Sequence, residues 1–236
     1  MSEQKINPNE HWVIAFARAV WNKKFLLIIM VALVALLPMA MAKESIVLRK
    51  ALFTSIGVDY IDNEYHVYGE IFKFGFDPFA EMERELYIGK GTSLQGALDD
   101  LERNLGKTPS FSHCSLFIIG KGLVDRDLLQ LMKPFALKPQ MSNSCIVLYS
   151  ESDLGQLIQT SLDLGDPRAG RLQFIANFNK RTRGFVSTNM ERFFKDSMRG
   201  DRTVKVAKVE ESDGEIINDG SYKVLKFPES RVYNAS

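Results

Sequence analysis

Apolar residues fall along this chain in two rhythms. Residues 51–58, ALFTSIGV, read as a buried strand, residues 65–74 are rich in aromatic and β-branched types, and Asp62-Asn63 between them supplies a turn. That pattern predicts a β-hairpin. Residues 76–85 hold Pro78 and the charges Glu81, Glu83, Arg84 and Glu85, and read as a solvated connection before a short strand over 86–88 that runs into Gly89-Lys90-Gly91. Thr92 with Gln95 makes a capping-box pattern. Leu94, Leu98, Leu101 and Leu105 then follow at helical spacing until Gly106. Residues 114–119, CSLFII, and 145–149, CIVLY, are continuous apolar runs ended by Gly120 and Ser150, as strands buried on both faces should be. Between them a helix over 125–135 places Leu128, Leu131, Met132 and Phe135 inward and stops at Pro134 and Pro139. After them Ser150 caps a helix with Leu154, Leu157, Ile158 and Leu162 inward.

From 86 to 162 the elements alternate strand and helix, which predicts right-handed crossovers between parallel strands. The expected fold class is therefore α/β: a mixed β-sheet with a parallel βαβαβα centre flanked by helices, and an N-terminal β-hairpin. Asp166-Pro167 opens a further helix to about Phe178. Residues 187–198 give one more, with Met190, Phe193, Phe194 and Ser197 or Met198 inward and Gly200 past its end. Alternating strands over 203–209 and 222–227 enclose the turns Asp213-Gly214 and Asp219-Gly220.

Ahead of this domain, residues 25–42, FLLIIMVALVALLPMAMA, carry no charge and lie between Lys23-Lys24 and Lys43-Glu44. A basic flank, an apolar centre and the small-x-small exit Ala40-Met41-Ala42 are the parts of a secretory signal. The run falls slightly short of the roughly 20 residues that span a bilayer, so an uncleaved anchor fits as well. Both readings leave residues 1–24 cytosolic and place residues 43–236 outside as a single extracytoplasmic domain, tethered by 25–42 or released after Ala42. A buried core helix is the third reading, and so long a run without a polar side chain is unusual there.

Composition narrows the partners. Apolar residues are 45% and charged residues 25% of the chain, ordinary for a folded protein, and a net charge of +1 gives no reason to expect nucleic acid. Gly89-Lys90-Gly91-Thr92 invites a phosphate-loop reading, but Arg84 stands where the first glycine is needed and Gly91 separates Lys90 from Thr92, so no nucleotide is expected. His113 sits beside Ser112 and Cys114; neighbours on a strand point to opposite faces, so a Cys/His pair does not form and a structural hydrogen bond is the expected role of His113. No Cys/His spacing suggests zinc. No catalytic residue, cofactor or metal is expected. Cys114 and Cys145 open the two central strands at similar heights. An oxidising compartment permits a disulfide between them, and buried free thiols are the other reading. Lys180, Arg181 and Arg183 form a basic cluster near Phe178 and Phe185, suited to anionic lipid, to an acidic partner, or to an ordinary charged loop.

Three stretches in order carry a resemblance: FTSIGVDYIDNEYHVYGEIF over 53–72, GKGTSLQGALDDL over 89–101, and SHCSLFIIGKGL over 112–123. Together they resemble the N-terminal domain of the spore-germination receptor C-subunit family, the Ger(x)C proteins. The motif residues that carry this are Gly57, Asp59, Gly89, Gly91, Ser112, His113 and Gly120, with structural roles expected. The resemblance implies a non-enzymatic, extracytoplasmic, membrane-associated subunit of a nutrient-sensing complex in spore germination. It would sit at the outer face of the spore inner membrane and contact two integral membrane receptor subunits. Family members usually carry a lipid-bearing Cys at the end of the signal, where Ala42-Lys43 stands here, and further domains after the first. The alternative is a secreted or tethered small-ligand-binding module, using the crevice at the carboxyl ends of the parallel strands near Gly89, Gly120 and Ser150. An extracytoplasmic enzyme ranks last, for want of converging acid, base, nucleophile or metal ligands.

Overall fold

The computed structural model describes residues 28–34, 50–73, 83–137, 141–165 and 170–227. It divides into two units, Met1–Arg49 and Lys50–Ser236. In the first, residues 28–34 are helical (α1), with exposed apolar side chains such as Ile28, Met30 and Leu33. The rest of the expected 25–42 segment lies outside the described residues. Among the described residues no helix is long and apolar enough to cross a membrane.

The second unit opens with the expected hairpin, β1 (Lys50–Ile61) antiparallel to β2 (Glu64–Lys73). Asp62 and Asn63 take φ of 51° and 66°, the left-handed pair of a two-residue turn whose twist matches the strands. β2 pairs in turn with β3 (Glu83–Gly91), again antiparallel. This corrects two expectations: Glu83, Arg84 and Glu85 are strand rather than solvated connection, and 86–88 lies on an antiparallel edge rather than in the parallel centre. An ion pair between Arg84 and Glu70 of β2 ties the charged segment into the sheet.

The parallel centre is β1, β5 (Leu116–Gly120), β6 (Ile146–Ser150) and β8 (Thr203–Lys208), with β11 (Tyr222–Lys226) antiparallel on β8. The order across the sheet is β11-β8-β6-β5-β1-β2-β3, with short β4 (Thr108–Ser110) on β1 and β7 (Thr188–Asn189) on β6. β9 (Glu210–Ser212) and β10 (Glu215–Ile217) form a separate hairpin around Asp213-Gly214.

Helices cover both faces. Along β5, Phe117 and Ile119 point to one side and Leu116 and Ile118 to the other. The first side packs against α2 (Leu94–Leu105), α3 (Leu128–Leu137) and α6 (Met190–Ser197), through a run of rings in which Phe111–Phe53 and Phe117–Phe135 centroids are each 5.3 Å apart. The second packs against α4 (Leu154–Asp163) and α5 (Arg171–Arg181), through Leu154, Leu157, Ile158, Leu172, Ile175 and Ala176. Burial from both sides is why CSLFII and CIVLY are apolar without alternation.

Several helix boundaries differ from expectation: α3 begins at Leu128 rather than 125, and α6 at Met190 rather than 187, because Thr188 and Asn189 pair with β6 as β7. Ser93 rather than Thr92 caps α2, its Oγ accepting from the Gly96 amide at 3.1 Å. Asp153 rather than Ser150 caps α4, because Ser150 is still the buried last residue of β6 and the chain needs two more residues to leave the sheet. Pro134 sits inside α3 instead of ending it; Met132 and Phe135 on either side are buried, and that packing outweighs the lost backbone bond. α5 begins at Arg171 with Gly170 at its N-cap rather than at Asp166-Pro167, and it runs past Phe178 to Arg181.

Candidate functional site

The carboxyl ends of β1, β5 and β6 lie together, with Val58 opposite Ile119 and Gly120 opposite Ser150. Just beyond Val58, Asp59 is buried, and its Oδ1 accepts from the amides of Tyr60 and Gly122, each at 2.8 Å. A Cβ on Gly120 would stand 2.2 Å from the Asp59 carboxyl carbon, and one on Gly122 would stand 1.9 Å from the Tyr60 carbonyl oxygen. Asp59 therefore pins the turn that leaves β5 to the end of β1, and only glycines let that turn approach. Burial pushes the Asp59 carboxyl above its ordinary range, against the two amides, Lys121 and His66, which favour its charge. The buried Tyr68 phenol is pushed up to about 12, by burial first and then by Asp153 and Asp59.

The other motif residues lie elsewhere. Gly57 lies beneath α4, where a Cβ would touch the Ile158 and Leu154 methyls at 3.2 Å. Gly89 and Gly91 end β3, where a Cβ on Gly89 would come within 2.2 Å of the Ala97 carbonyl oxygen. They let α2 lie directly on the strand it follows, its Ser93 cap two residues after Gly91, and through Val67 and Val58 Gly89 is level with Ile119 at the carboxyl end of the sheet. The Lys90 amide donates to Asp100 Oδ2 at 2.9 Å, so a carboxylate occupies the donor that a phosphate loop would offer. Ser112 and His113 are exposed at the opposite, amino end of β5. His113 makes no hydrogen bond to a described residue, against expectation. The turn is closed without it, by the Ser110–Ser112 hydroxyl contact at 3.2 Å and the Cys114 amide on the Phe111 carbonyl at 3.0 Å.

Cys114 and Cys145 are buried and stand as free thiols. A hydrogen bond to Cys114 comes first, and burial second, among the causes that push the Cys145 thiol well up.

Two side chains escaped the sequence reading. Glu70 and Arg84 form an ion pair at 2.7 Å with side chains only 7% and 5% exposed, and the Ser55 hydroxyl donates to the second Glu70 oxygen. The Arg84 guanidinium packs so closely that a Cβ on Gly170 would lie 2.8 Å from it. The pair lines a cavity of about 220 Å³ at the amino end of the sheet, together with His113, Ser115 and Gln173. A charged residue inside VYGEIF was the available signal, since a buried carboxylate requires a partner.

At the carboxyl end the rim holds an open depression of about 600 Å³ lined by Tyr60, Tyr65, Asp125, Arg126 and Asp127. The Arg126 guanidinium lies 3.3 Å over the Tyr60 ring. Further along, Lys208 bridges Glu151 at 3.0 Å and Glu210 at 2.6 Å, which raises the lysine and lowers Glu151. Lys208, Glu151 and Glu210 are thus paired with one another, Arg126 rests on aromatic rings, and Asp127 Oδ1 accepts from the Gln130 amide. Among the described residues no group of three His, Cys, Asp or Glu side chains is placed to hold a metal ion.

A family profile described as the spore germination protein N-terminal domain matches residues 45–209, a span that contains every element from β1 to β8. No curated protein and no solved structure matches significantly.

Proposed function

The chain belongs to the spore germination C-subunit family through its N-terminal domain, and from that premise we propose that it acts without catalysis, as a membrane-associated subunit of a germinant receptor. In this reading the α/β unit is a rigid scaffold on the extracytoplasmic side, and it works by contact with integral membrane receptor subunits. The apolar run over 25–42 keeps it at the membrane in place of a lipid-bearing Cys. The observation that carries the proposal is the family match across the whole parallel centre. The rim chemistry agrees with it, since Asp59, Arg126 and Lys208 all serve contacts inside the domain.

Deleting the gene in the endospore-forming source and following nutrient-triggered loss of spore optical density tests this reading. Slowed or abolished germination, restored by the wild-type gene, is expected. Unchanged germination with every nutrient that triggers the parent strain would overturn it.

A further inference from the structure

The outward face of α5 is unlike the rest of the surface. Leu172, Ile175, Ala176 and Asn179 face the core, which turns Phe174 and Phe178 outward, one helical turn apart, 60% and 44% exposed. Arg171 stands at one end of this pair, 5.4 Å from the Phe174 ring centre, and Lys180, Arg181 and Arg183 stand at the other. Phe178 rests edge-on against Phe185 at 5.4 Å.

The charge pattern is one-sided. From 171 to 185 the sequence, RLQFIANFNKRTRGF, has four basic residues and no acidic one, in a chain with 30 basic and 29 acidic residues. Elsewhere Arg84, Arg103, Arg192, Arg199 and Lys208 each pair with a carboxylate, whereas none of the four here pairs with a described residue. Phe174 and Phe178 line none of the cavities described above, so the patch offers a partner no recess. Bare rings between unpaired cations on a helix lying flat match a flat, anionic, apolar-cored surface.

We propose that α5 is the face on which this domain rests on an anionic lipid bilayer, with Phe174 and Phe178 entering the headgroup boundary and Arg171, Lys180, Arg181 and Arg183 among the headgroups. The assignment rests on the membrane-associated reading above and adds to it which side of the sheet faces the lipid. α6, on the other side of the sheet, then points away, along with Met198 at its end, which is 72% exposed.

The test uses the full chain with Trp12→Phe and Trp21→Phe, reconstituted into vesicles of brominated phosphatidylglycerol and phosphatidylcholine. A Phe178→Trp probe should be quenched roughly twofold or more, because its ring sits at the acyl boundary. A Met198→Trp probe should not be quenched. Adding Arg171→Glu and Arg181→Glu to the Phe178→Trp chain should bring its quenching down to the level of the Met198→Trp probe, because the headgroups then face carboxylates. If the chain floats with the vesicles but neither probe is quenched, this face assignment is wrong and membrane association stands. If the chain does not float, both fail. Equal quenching by brominated phosphatidylcholine alone overturns the anionic preference. A photo-cross-linker at Phe178 that captures protein and never lipid assigns the face to a protein partner instead.

Discussion

Replacing Arg84 by Met tests the structural centre of this account. Arg84 and Glu70 are 2.7 Å apart, on neighbouring strands β3 and β2, with side chains almost wholly out of water. Without the guanidinium, the Glu70 carboxylate stays buried with the Ser55 hydroxyl as its one remaining side-chain partner among the described residues. Leaving one member of a buried ion pair uncompensated costs about 3–5 kcal/mol, whereas an exposed pair is worth at most about 1 kcal/mol. For a unit of this size that corresponds to a fall in Tm of about 6–20 °C. Urea unfolding followed by far-UV circular dichroism, on Arg84→Met, Glu70→Gln and the double variant, separates the pair from its surroundings. The double variant removes both charges of this pair, so it should be clearly more stable than the sum of the single losses predicts, with a coupling of about 1–3 kcal/mol. Single losses that add within about 0.5 kcal/mol, or an Arg84→Met cost below 1 kcal/mol, would refute the reasoning.

Three further outcomes follow from the same geometry. The folded-state pKa of Asp59 is raised, so its ionised form costs stability above that pKa, and the cost is relieved as pH falls through it toward the unfolded value. Asp59→Asn keeps the Oδ1 acceptor, so its stability relative to wild type should be greatest at pH 7 and decline toward pH 4; a difference independent of pH would contradict this. Gly89→Ala forces a methyl to within 2.2 Å of the Ala97 carbonyl oxygen, and thermal unfolding should show a loss of about 1–3 kcal/mol or more, with wild-type stability as the contrary result. The Cys114 and Cys145 thiols are buried and Cys145 is pushed up, so a disulfide-exchange dye at pH 7 should react with neither in the native protein and with both on unfolding; rapid native labelling would contradict the packing.

The fold was legible where a segment's own pattern decides its structure. The β1–β2 hairpin, the doubly buried β5 and β6 and the apolar stripes of α2, α4 and α6 all appear where periodicity puts them. Sequence reading went astray where distant contacts decide. Glu83 to Glu85 look solvated because their charges are visible and Glu70, on another strand, is not. Pro134 reads as a stop because the burial of Met132 and Phe135 around it is a tertiary fact. The motif glycines were found as a set, yet their separate tasks, closeness to Asp59 for Gly120 and to α2 for Gly89 and Gly91, emerge only from the packing. For the α5 face, the basic cluster and Phe178 were visible in the sequence. The exposure of Phe174 and the lack of paired acids required the fold.

The central claim is that this domain works at a membrane beside integral receptor subunits. Its most direct test is cross-linking in intact spores, followed by purification of the tagged full chain from the inner-membrane fraction and identification of what is bound. The account predicts that the chain is in that fraction and is covalently joined to multi-span membrane proteins required for the same nutrient response. Recovery in the soluble fraction, or in the membrane without any such protein attached, would contradict it.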